Sequence, residues 1–327
     1  MGVSGSVRCE DWVLEKPFII ARGSTSRVQL VVVEICHEEY CGRGEACPSA
    51  RFGETPESTV SDVELILDRL MAGARWEELH DEVGPGAARN AVDCAVWDLR
   101  SKQAGRRAWE LVGLSQPSAV STVFTVSLGE PHLMAEEARA AAKHEVLKLK
   151  LGAPGDVERV SAVRQAVPEK RLIVDVNEGW RPEELEHNLT VMAELAVELV
   201  EQPLPAGNDD ALAGIERPVP VAADESCETS SDLQRVARLY DVVNIKLDKA
   251  GGLTEAMRLL SEARRFGLQA MIGCRLGTSL AMAPGVLVAQ SCSFVDLDAP
   301  LLIGHDREPS LDYSDGFVAP SSPDLWG

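Results

Sequence analysis

Lysine and carboxylate side chains recur through the middle of the chain at nearly equal intervals. The set comprises Lys148 and Lys150 in KLKLG, Asp175 in IVDVNEGW, Glu201 in LVEQPLP, Asp224 in VAADES and Lys246 in VVNIKLD. Counted from Lys150, the successive steps are 25, 26, 23 and 22 residues. Two lysines on opposite sides of a carboxylate cluster are suited to moving one carbon-bound proton.

The interval between these residues predicts the elements that position them. Each step has room for one strand, one helix and two short loops. The interval continues upstream to Thr125 in VFTVSLG and downstream to Cys274 in AMIGCRLG and Asp296 in FVDLDAP. Eight strands with helical stretches between them predict an α/β fold, a barrel of the TIM type with (β/α)7β organisation.

Polar residues within the predicted strands fall at a spacing of two, as side chains on one face of a strand must. Three pairs follow this rule, namely Lys148 with Lys150, Asp175 with Asn177, and Asp296 with Asp298. Because the barrel interior is normally packed with apolar side chains, ionisable inward residues are expected at the carboxyl-terminal mouth.

The strand order sets the expected geometry of the mouth. With Thr125 on strand one, Lys150 lies on strand two and Lys246 on strand six, which are opposite in a ring of eight. The three acids span the arc between the lysines. Asp296 and Asp298, on strand eight, then face Glu201 on strand four.

Asp175, Glu201 and Asp224 form a candidate metal site. Three carboxylates that converge without cations between them repel one another, and a bound divalent ion resolves this most simply. Ligation by oxygen alone favours one Mg²⁺ per chain. Such an ion would bind a substrate carboxylate and stabilise the enolate formed when the adjacent carbon loses its proton.

Lys150 and Lys246 are the two predicted bases, and Lys148 is predicted to be a charge partner or an electrophile. To act as a base near neutral pH, a lysine needs a pKa well below its ordinary value of about 10.4. A neighbouring ammonium and a metal cation would both lower it. Lys148 supplies the first effect for Lys150, and the predicted ion supplies the second.

These residues resemble the enolase superfamily in its muconate-lactonising branch, and more narrowly the dipeptide epimerases of the L-Ala-D/L-Glu group. The resemblance covers nearly the whole chain. It is carried by GRGEACPSARFGETPES, ARNAVDCAVWDL, KLKLG, NIKLDKAGG and DLDAPLL. It implies a magnesium-dependent isomerase whose aspartates Asp296 and Asp298 bind the amino group of a dipeptide. A dipeptide, ~7 Å long at ~3.5 Å per residue, would span the mouth from the metal to strand eight.

Specificity is expected to depend on residues around the mouth. Arg275 stands where the family often has methionine, and Gly277 where some members have glutamate. A guanidinium that faces the site could favour a substrate with an acidic side chain, whereas an outward-facing Arg275 would say nothing about substrate preference. Arg22 resembles a family position on a capping loop that contacts an acidic substrate. Thr125 is also expected at the substrate, and Asn177 and Glu225 are expected to support the ligands.

Two other functions remain open from the residues. One is a different reaction of the same branch: o-succinylbenzoate synthesis, N-acylamino acid racemisation or muconate cycloisomerisation. These reactions need no anionic pair for an ammonium group. The other is a non-catalytic barrel used as a ligand sensor or scaffold. The complete set of bases and acids argues against it, because a scaffold has no reason to keep mutually repelling charges in a cleft.

The chain is expected to divide into three parts. Residues 1–118 combine strand-like and helical patterns and predict an α+β capping domain, and residues 119–304 form the barrel. Residues 305–327 are rich in proline and glycine and are expected to pack back on the capping domain. The active site would then lie between the two domains, and the loops around residues 22–27 and Phe52 could close over it.

The composition of the chain indicates which classes of binding partner to expect. The chain has 327 residues and a formal net charge of −20, with a pI near 4.7, which argues against nucleic acid because such binding depends on basic phosphate contacts. No stretch has the length or apolarity to cross a membrane, and MGVSGSVRCEDW does not resemble a signal peptide, so a cytoplasmic protein is expected. The resemblance suggests a homo-oligomer.

Cysteines give little guidance. Eight cysteines are too few for a disulfide scaffold, and no C-x-x-C pair occurs. Cys36, Cys41 and Cys47 with His37 could suggest zinc, although a second ligand pair is missing. Cys274 could face the site or simply be buried.

Overall fold

The computed structural model describes residues 2–327, and its amino-terminal part is a three-stranded antiparallel sheet. The strands are β1 (Ser4–Ile20), β2 (Gly23–His37) and β3 (Tyr40–Ala46). The run VQLVVVEIC in β2 is rich in branched side chains, which favour strands, and its residues Leu30 to Val33 are fully buried. The β1–β2 hairpin is long, so its turn at residues 21–22 reaches out to the second sheet.

Four helices follow this sheet. They are α1 (Pro56–Met71), α2 (Trp76–His80), α3 (Ala87–Ala104) and α4 (Ala108–Leu111). Helix α3 lies directly on β3, where glycines permit a close approach of the two backbones. A Cβ atom at Gly44 would lie 2.0 Å from the Ala91 carbonyl oxygen, and one at Gly42 would lie 2.2 Å from that of Ala95.

The second sheet consists of eight consecutive parallel strands, as the residue interval predicted. After the short strand β4 (Val120–Ser121), these are β5 (Phe124–Val126), β6 (Val146–Lys150), β7 (Arg171–Asp175), β8 (Val197–Glu201), β9 (Val221–Ala223), β10 (Val242–Lys246), β11 (Gln269–Gly273) and β12 (Phe294–Val295). The Val123 amide donates to the Val295 carbonyl at 3.0 Å. This hydrogen bond joins the two ends of the sheet, and the fold is the predicted TIM-type barrel.

Helices connect the barrel strands. They are α5 (Pro131–Ala140), α6 (Asp156–Ala166), α7 (Pro182–Glu194), α8 (Leu233–Leu239), α9 (Leu247–Ala250), α10 (Leu253–Arg265), α11 (Ser279–Ala289) and α12 (Ala299–Leu302). An apolar layer fills the lower barrel with side chains from successive strands: Val123, Val146, Ile173, Leu199, Ala222, Val242 and Met271. This layer closes the barrel floor, so polar side chains at the upper strand ends line a cavity open on one side only.

The carboxyl-terminal segment returns to the amino-terminal part, as the sequence predicted. Strand β13 (Phe317–Val318) pairs with β4. Further on, the buried Trp326 indole donates to the Cys94 carbonyl at 3.0 Å, and the Gly327 amide donates to Asp98 Oδ1 at 2.8 Å. Both acceptors belong to α3, so the segment completes the capping unit.

Cys36 and Cys41 form a disulfide across the β2–β3 hairpin. Cys47 follows the other end of β3 and lines the cavity described below. Two of the three cysteines weighed as zinc ligands are therefore bonded to each other, and the third is remote from them. Within residues 2–327, none of the helices combines the length and the apolarity needed to cross a membrane.

Candidate active site

The barrel mouth and the β1–β2 hairpin enclose a cavity of about 370 Å³. The barrel supplies Lys150, Asp224 and Lys246 to its wall, and the hairpin covers it with Phe18 and other apolar side chains. The Phe18 ring lies 5.6 Å from Lys150 Nζ. The cavity therefore has a charged floor and a cover that combines the apolar Phe18 and Ile20 with the polar Arg22, Ser24 and Thr25.

The two predicted bases occupy strands four apart in the ring of eight. Lys150 Nζ donates to Asp175 Oδ2 at 2.5 Å. Lys246 Nζ donates to Asp224 Oδ2 at 2.6 Å. Each lysine is therefore tied to a different carboxylate on its own side of the mouth, and both face the same cavity.

Lys148 is buried in the floor beneath the cavity, only 1% exposed. Its Nζ lies 2.7 Å from Glu201 Oε2, 2.6 Å from Asp296 Oδ2 and 3.2 Å from Asp175 Oδ2. Burial lowers the pKa of Lys148, but these three carboxylates outweigh burial and hold it well above its ordinary value. Lys148 is therefore a permanent positive charge.

Four lysines reach the three acids. Besides Lys148, Lys150 and Lys246, the fully buried Lys249 donates to Asp224 Oδ1 at 2.9 Å and to the Asn244 carbonyl at 2.8 Å. Lys249 was not predicted to be a site residue. Its signal was its position in NIKLDKAGG, three residues after Lys246, where α9 turns the chain back to the mouth.

The three acids differ in pKa. Burial raises the pKa of Asp175 and Asp224, but neighbouring lysines, first Lys150 for Asp175 and first Lys246 for Asp224, bring both below the ordinary value. For Glu201, burial and then the charge of Asp175 raise the pKa to about 7. The protein's own cations thus leave the negative charge at Glu201 incompletely balanced.

These acids fit a hard cation. Glu201 Oε2 is near Lys148 but accepts no well-oriented hydrogen bond, and the buried Asn244 Oδ1 has no partner within residues 2–327. The other Glu201 oxygen accepts from Asn244 Nδ2 at 2.6 Å, and Asp175 Oδ1 accepts from the Asn177 amide at 3.0 Å. A set of oriented carboxylate oxygens with a buried unpartnered oxygen suits Mg²⁺.

Lys246 does not show the low pKa that a base needs from the protein alone. Burial lowers the pKa of Lys246, and the charge of Lys148 lowers it too. The carboxylates of Asp224 and Glu201 outweigh both effects, so the net direction is upward. The lowering of the pKa that is expected at Lys246 would therefore come from the additional charge of a bound ion.

Asp296 and Asp298 follow β12 and line the cavity. Asp298 Oδ2 accepts from the Thr125 amide at 2.6 Å, while Asp296 Oδ2 binds Lys148. Burial, followed by the charge of Asp296, raises the pKa of Asp298 to about 7. The remaining oxygen of each carboxylate makes no hydrogen bond within the described part of the chain, so both can accept one from a ligand.

Arg22 extends from the hairpin to the barrel mouth. Its Nη2 contacts Glu225 Oε1 at 2.7 Å, and its Nη1 contacts Glu178 Oε2 at 3.1 Å and the Asn177 carbonyl at 2.9 Å. Glu225 thus lies at the cavity rim, where its contact is with Arg22. The role of Glu178 was missed because nothing in its spacing connects it with Arg22.

Arg275 follows β11 and lines the cavity, with its guanidinium carbon 5.3 Å from the centre of the Phe52 ring. It therefore faces inward. Gly277 is not part of the cavity wall, and a Cβ atom there would lie 3.1 Å from Ala281 Cβ. Of the two unusual positions, only Arg275 can meet a ligand directly.

The fold and the site define a member of a known enzyme family. Residues 3–113 match the model for the mandelate racemase / muconate lactonizing enzyme N-terminal domain. Residues 133–323 match the enolase C-terminal domain-like model. The chain belongs to this family, as its motifs predicted.

Curated relatives come from the same family. L-Ala-D/L-Glu epimerase of Escherichia coli (strain K12) is 44% identical over 311 residues, which cover 94% of this chain and 96% of the relative. N-acetyl-D-glutamate racemase of a Pseudoalteromonas species is 40% identical, with coverage of 91% and 95%.

Solved structures of dipeptide epimerases and their homologues closely resemble the fold of this chain. An enolase family member from Agrobacterium tumefaciens with homology to dipeptide epimerases was solved with bound sodium and L-Ala-L-Glu. It has a TM-score of 0.98 and 46% identity, covering 99% of this chain and 100% of its own. A dipeptide epimerase from Enterococcus faecalis V583, complexed with Mg and L-Leu-L-Tyr, has a TM-score of 0.92 and 27% identity, with coverage of 98% for both chains.

Proposed function

We propose that the protein is a magnesium-dependent dipeptide epimerase that interconverts L-Ala-L-Glu and L-Ala-D-Glu. The observation that carries the proposal is the placement of Lys150 and Lys246 on opposite strands of one cavity, with carboxylates between them. The names of the E. coli relative and of the A. tumefaciens complex support the choice of substrate.

Asp175, Glu201 and Asp224 would hold one Mg²⁺. The bound ion supplies positive charge that offsets the negative charge of the substrate carboxylate as the neighbouring carbon loses its proton. The Asn177 amide and the Asn244 side chain orient Asp175 and Glu201 by hydrogen bonds. Lys148 adds a fixed positive charge beneath the carboxylate.

The lysines exchange one proton with the substrate. One lysine Nζ accepts the proton as the Cα–H bond of the glutamate residue breaks, and the other lysine donates its own proton to the opposite face of that carbon. The electron pair of the broken bond stays with the substrate until the new C–H bond forms. Phe18, packed near Lys150, keeps bulk water from delivering a proton in place of a lysine.

The amino end of the dipeptide would bind to Asp296 and Asp298. Each carboxylate has one oxygen fixed within the protein and one free, as described above. Thr125 holds Asp298 in position through its backbone amide. With the substrate fixed at both ends, its central carbon lies between the two lysines.

Deuterium uptake tests the proposal. The protein with MgCl₂ and L-Ala-L-Glu in heavy water is expected to place one deuterium on the glutamate Cα and to form L-Ala-D-Glu, detected by mass and chiral separation. In K150M and K246M, epimerisation should be lost by at least about 10³-fold. Each variant should still exchange the proton of one stereoisomer, because the remaining lysine reaches one face.

Lys143→Met is the matched control, since Lys143 is exposed and distant from the mouth. It should leave both rates unchanged. Absence of deuterium uptake from a panel of L,L-dipeptides with the intact protein would exclude the proposed function. Loss of exchange on both stereoisomers in each lysine variant would contradict the two-base assignment.

A second candidate is racemisation of an N-acylglutamate, favoured by the Pseudoalteromonas relative. Such a substrate has the same glutamate carbon but no ammonium group. The same assay separates the candidates, because Asp296→Asn with Asp298→Asn should weaken turnover of L-Ala-L-Glu and spare N-acetylglutamate. Unchanged dipeptide turnover in that double variant would favour the second candidate.

We also propose the domain division expected from the sequence, with a capping domain at 1–118, a barrel at 119–304 and a closing segment at 305–327. The change from antiparallel to parallel strands near residue 120 supports the first boundary. The contacts of Trp326 and Gly327 with α3 support the assignment of the last segment.

A further inference from the structure

Arg22 and Arg275 line the cavity, and Arg51 lies next to Arg22, with which it shares the carboxylate of Glu178. Arg22 pairs with Glu225 and Glu178. Arg51 donates from Nε and Nη2 to the two oxygens of Glu178 at 2.9 and 2.8 Å. These two arginines and two glutamates carry two positive and two negative formal charges, so the group is neutral.

Arg275 is different. Within residues 2–327 its guanidinium forms neither an ion pair nor a hydrogen bond, and its contact is with the face of the Phe52 ring at 5.3 Å. Stacking on an aromatic ring fixes the plane of a guanidinium without using its N–H donors. The donors of Arg275 therefore remain available on the wall of the cavity.

The nearby carboxylate of Asp248 does not accept hydrogen bonds from the Arg275 guanidinium either. Asp248 is the buried carboxylate whose charge interacts with Arg275, but it does not contact the guanidinium. Its Oδ1 atom instead accepts hydrogen bonds from the Cys47 amide at 2.8 Å and from Asn90 Nδ2 at 3.0 Å. An oriented guanidinium with unused donors on the wall of a partly enclosed cavity matches a carboxylate, which it can bind through two parallel hydrogen bonds.

We propose that Arg275 binds the side-chain carboxylate of the substrate and so restricts the enzyme to substrates with an acidic residue at the reacting carbon. The proposal rests on the proposed epimerase function and specifies its substrate class. It assigns the selection to Arg275 and not to Arg22, whose charge is already neutralised. Arg22 then holds the hairpin to the barrel rim.

The test compares L-Ala-L-Glu with its neutral isostere L-Ala-L-Gln in wild type, R275M, R275K and R22M. In the deuterium assay, R275M should lower kcat/KM for L-Ala-L-Glu by roughly 10²-fold and leave that for L-Ala-L-Gln within about threefold. R275K should keep part of the preference, because a lysine retains the charge without the paired donors. R22M should lower kcat/KM for both dipeptides in similar proportion.

Calorimetric binding of the two dipeptides provides a readout that does not require turnover. Wild type is expected to bind L-Ala-L-Glu more tightly than L-Ala-L-Gln, and R275M is expected to bind both alike. Equal losses for both dipeptides in R275M, or a glutamate preference that survives in R275M and disappears in R22M, would overturn the assignment. If wild type discriminates by binding but incorporates no deuterium, the proposed function fails while the role of Arg275 stands.

Discussion

Glu201 stands apart from the other proposed ligands because its pKa is raised to about 7, whereas those of Asp175 and Asp224 are lowered. Burial is the main cause, and the charges of Asp175 and Asp224 add to it. In the metal-free protein, a large fraction of Glu201 therefore carries a proton at neutral pH. A metal ion must displace this proton before it can use both carboxylate oxygens.

Mg²⁺ affinity should consequently depend on pH. Below about 7, each further pH unit should weaken binding by up to about tenfold, or about 1.4 kcal/mol, since the ion competes with a proton. Above that pH the affinity should level off. Titration calorimetry at several pH values, in buffers of different ionisation enthalpy, measures the affinity and counts the released protons.

Glu201→Gln serves as the control, because an amide cannot take up this proton. The variant should bind Mg²⁺ more weakly at every pH and should lose the slope below neutrality. An affinity for the wild type that stays constant between about pH 5.5 and 7.5 would contradict the assignment of Glu201 as the titrating ligand.

At the scale of residues, spacing predicted which side chains meet at the mouth but not their charge balance. The strand interval predicted that Lys148, Lys150 and the three acids lie together at the mouth. It could not show that the Lys148 ammonium reaches Glu201 and Asp296 at once, because that depends on the rotamers of a long side chain. The neutralisation of Arg22 by Glu178 and Glu225 could not be predicted either, because both partners lie more than 150 residues away in the sequence.

At the scale of elements, the packing of β3 on α3 depends on two glycines. Gly44→Ala would place a methyl carbon 2.0 Å from the Ala91 carbonyl oxygen, and backbone atoms on both sides prevent an easy adjustment. We expect a loss of about 3 kcal/mol in the free energy of unfolding, measured by urea denaturation. Deuterium exchange activity per folded molecule should change far less than stability.

Gly84→Ala is the matched control, because no heavy atom lies within 4 Å of a Cβ atom built at that exposed position. The unfolding free energy should change by less than about 1 kcal/mol. Similar losses in both variants would show that the close approach of β3 to α3 is not the cause.

The barrel strands were predictable because each carries, or is directly followed by, a polar residue or a cysteine at a regular interval, and most contribute an apolar residue to the floor. Strands β4 and β13 have two residues each and form only because the chain ends of the barrel and the closing segment meet there. Helix α9, with four residues, is also short. Elements of this length have no periodicity of their own, so sequence patterns could not reveal them.

At the scale of the whole molecule, α3 joins the capping unit to the barrel beside the active site. Asp93 in α3 accepts from the Trp76 indole at 2.8 Å, and from the amide and hydroxyl of Thr254 at the start of α10 at 2.8 and 2.7 Å. Asp93 is fully buried. One carboxylate therefore ties both units together through three hydrogen bonds.

Asp93→Ala should destabilise the protein by about 3 kcal/mol, because it leaves buried donors without acceptors in both units. The junction also predicts that the two units unfold together in wild type. Tryptophan fluorescence and far-ultraviolet circular dichroism, followed during urea unfolding, should then give coincident transitions. Separate transitions in wild type would contradict a cooperative junction.

Asp93→Asn keeps an oxygen acceptor in the same place and should lose less stability than Asp93→Ala. Equal losses would indicate that the negative charge of Asp93, and not its hydrogen bonds, holds the junction. The sequence could not predict this contact, because Asp93 and Thr254 are 161 residues apart and nothing in the motif ARNAVDCAVWDL connects Asp93 with Thr254.

The disulfide between Cys36 and Cys41 encloses a very short loop in the β2–β3 hairpin. The residue pairs on either side of the bond, Ile35 with Gly42 and His37 with Tyr40, already belong to the strand ladder. A cross-link restricts the unfolded chain less when the loop is short, and here the ladder fixes the same residues without it. Breaking the bond should therefore leave the barrel and its mouth intact. The enzyme would then be equally able to mature in a reducing or an oxidising cellular environment, so this cysteine pair is no guide to where in the cell it works.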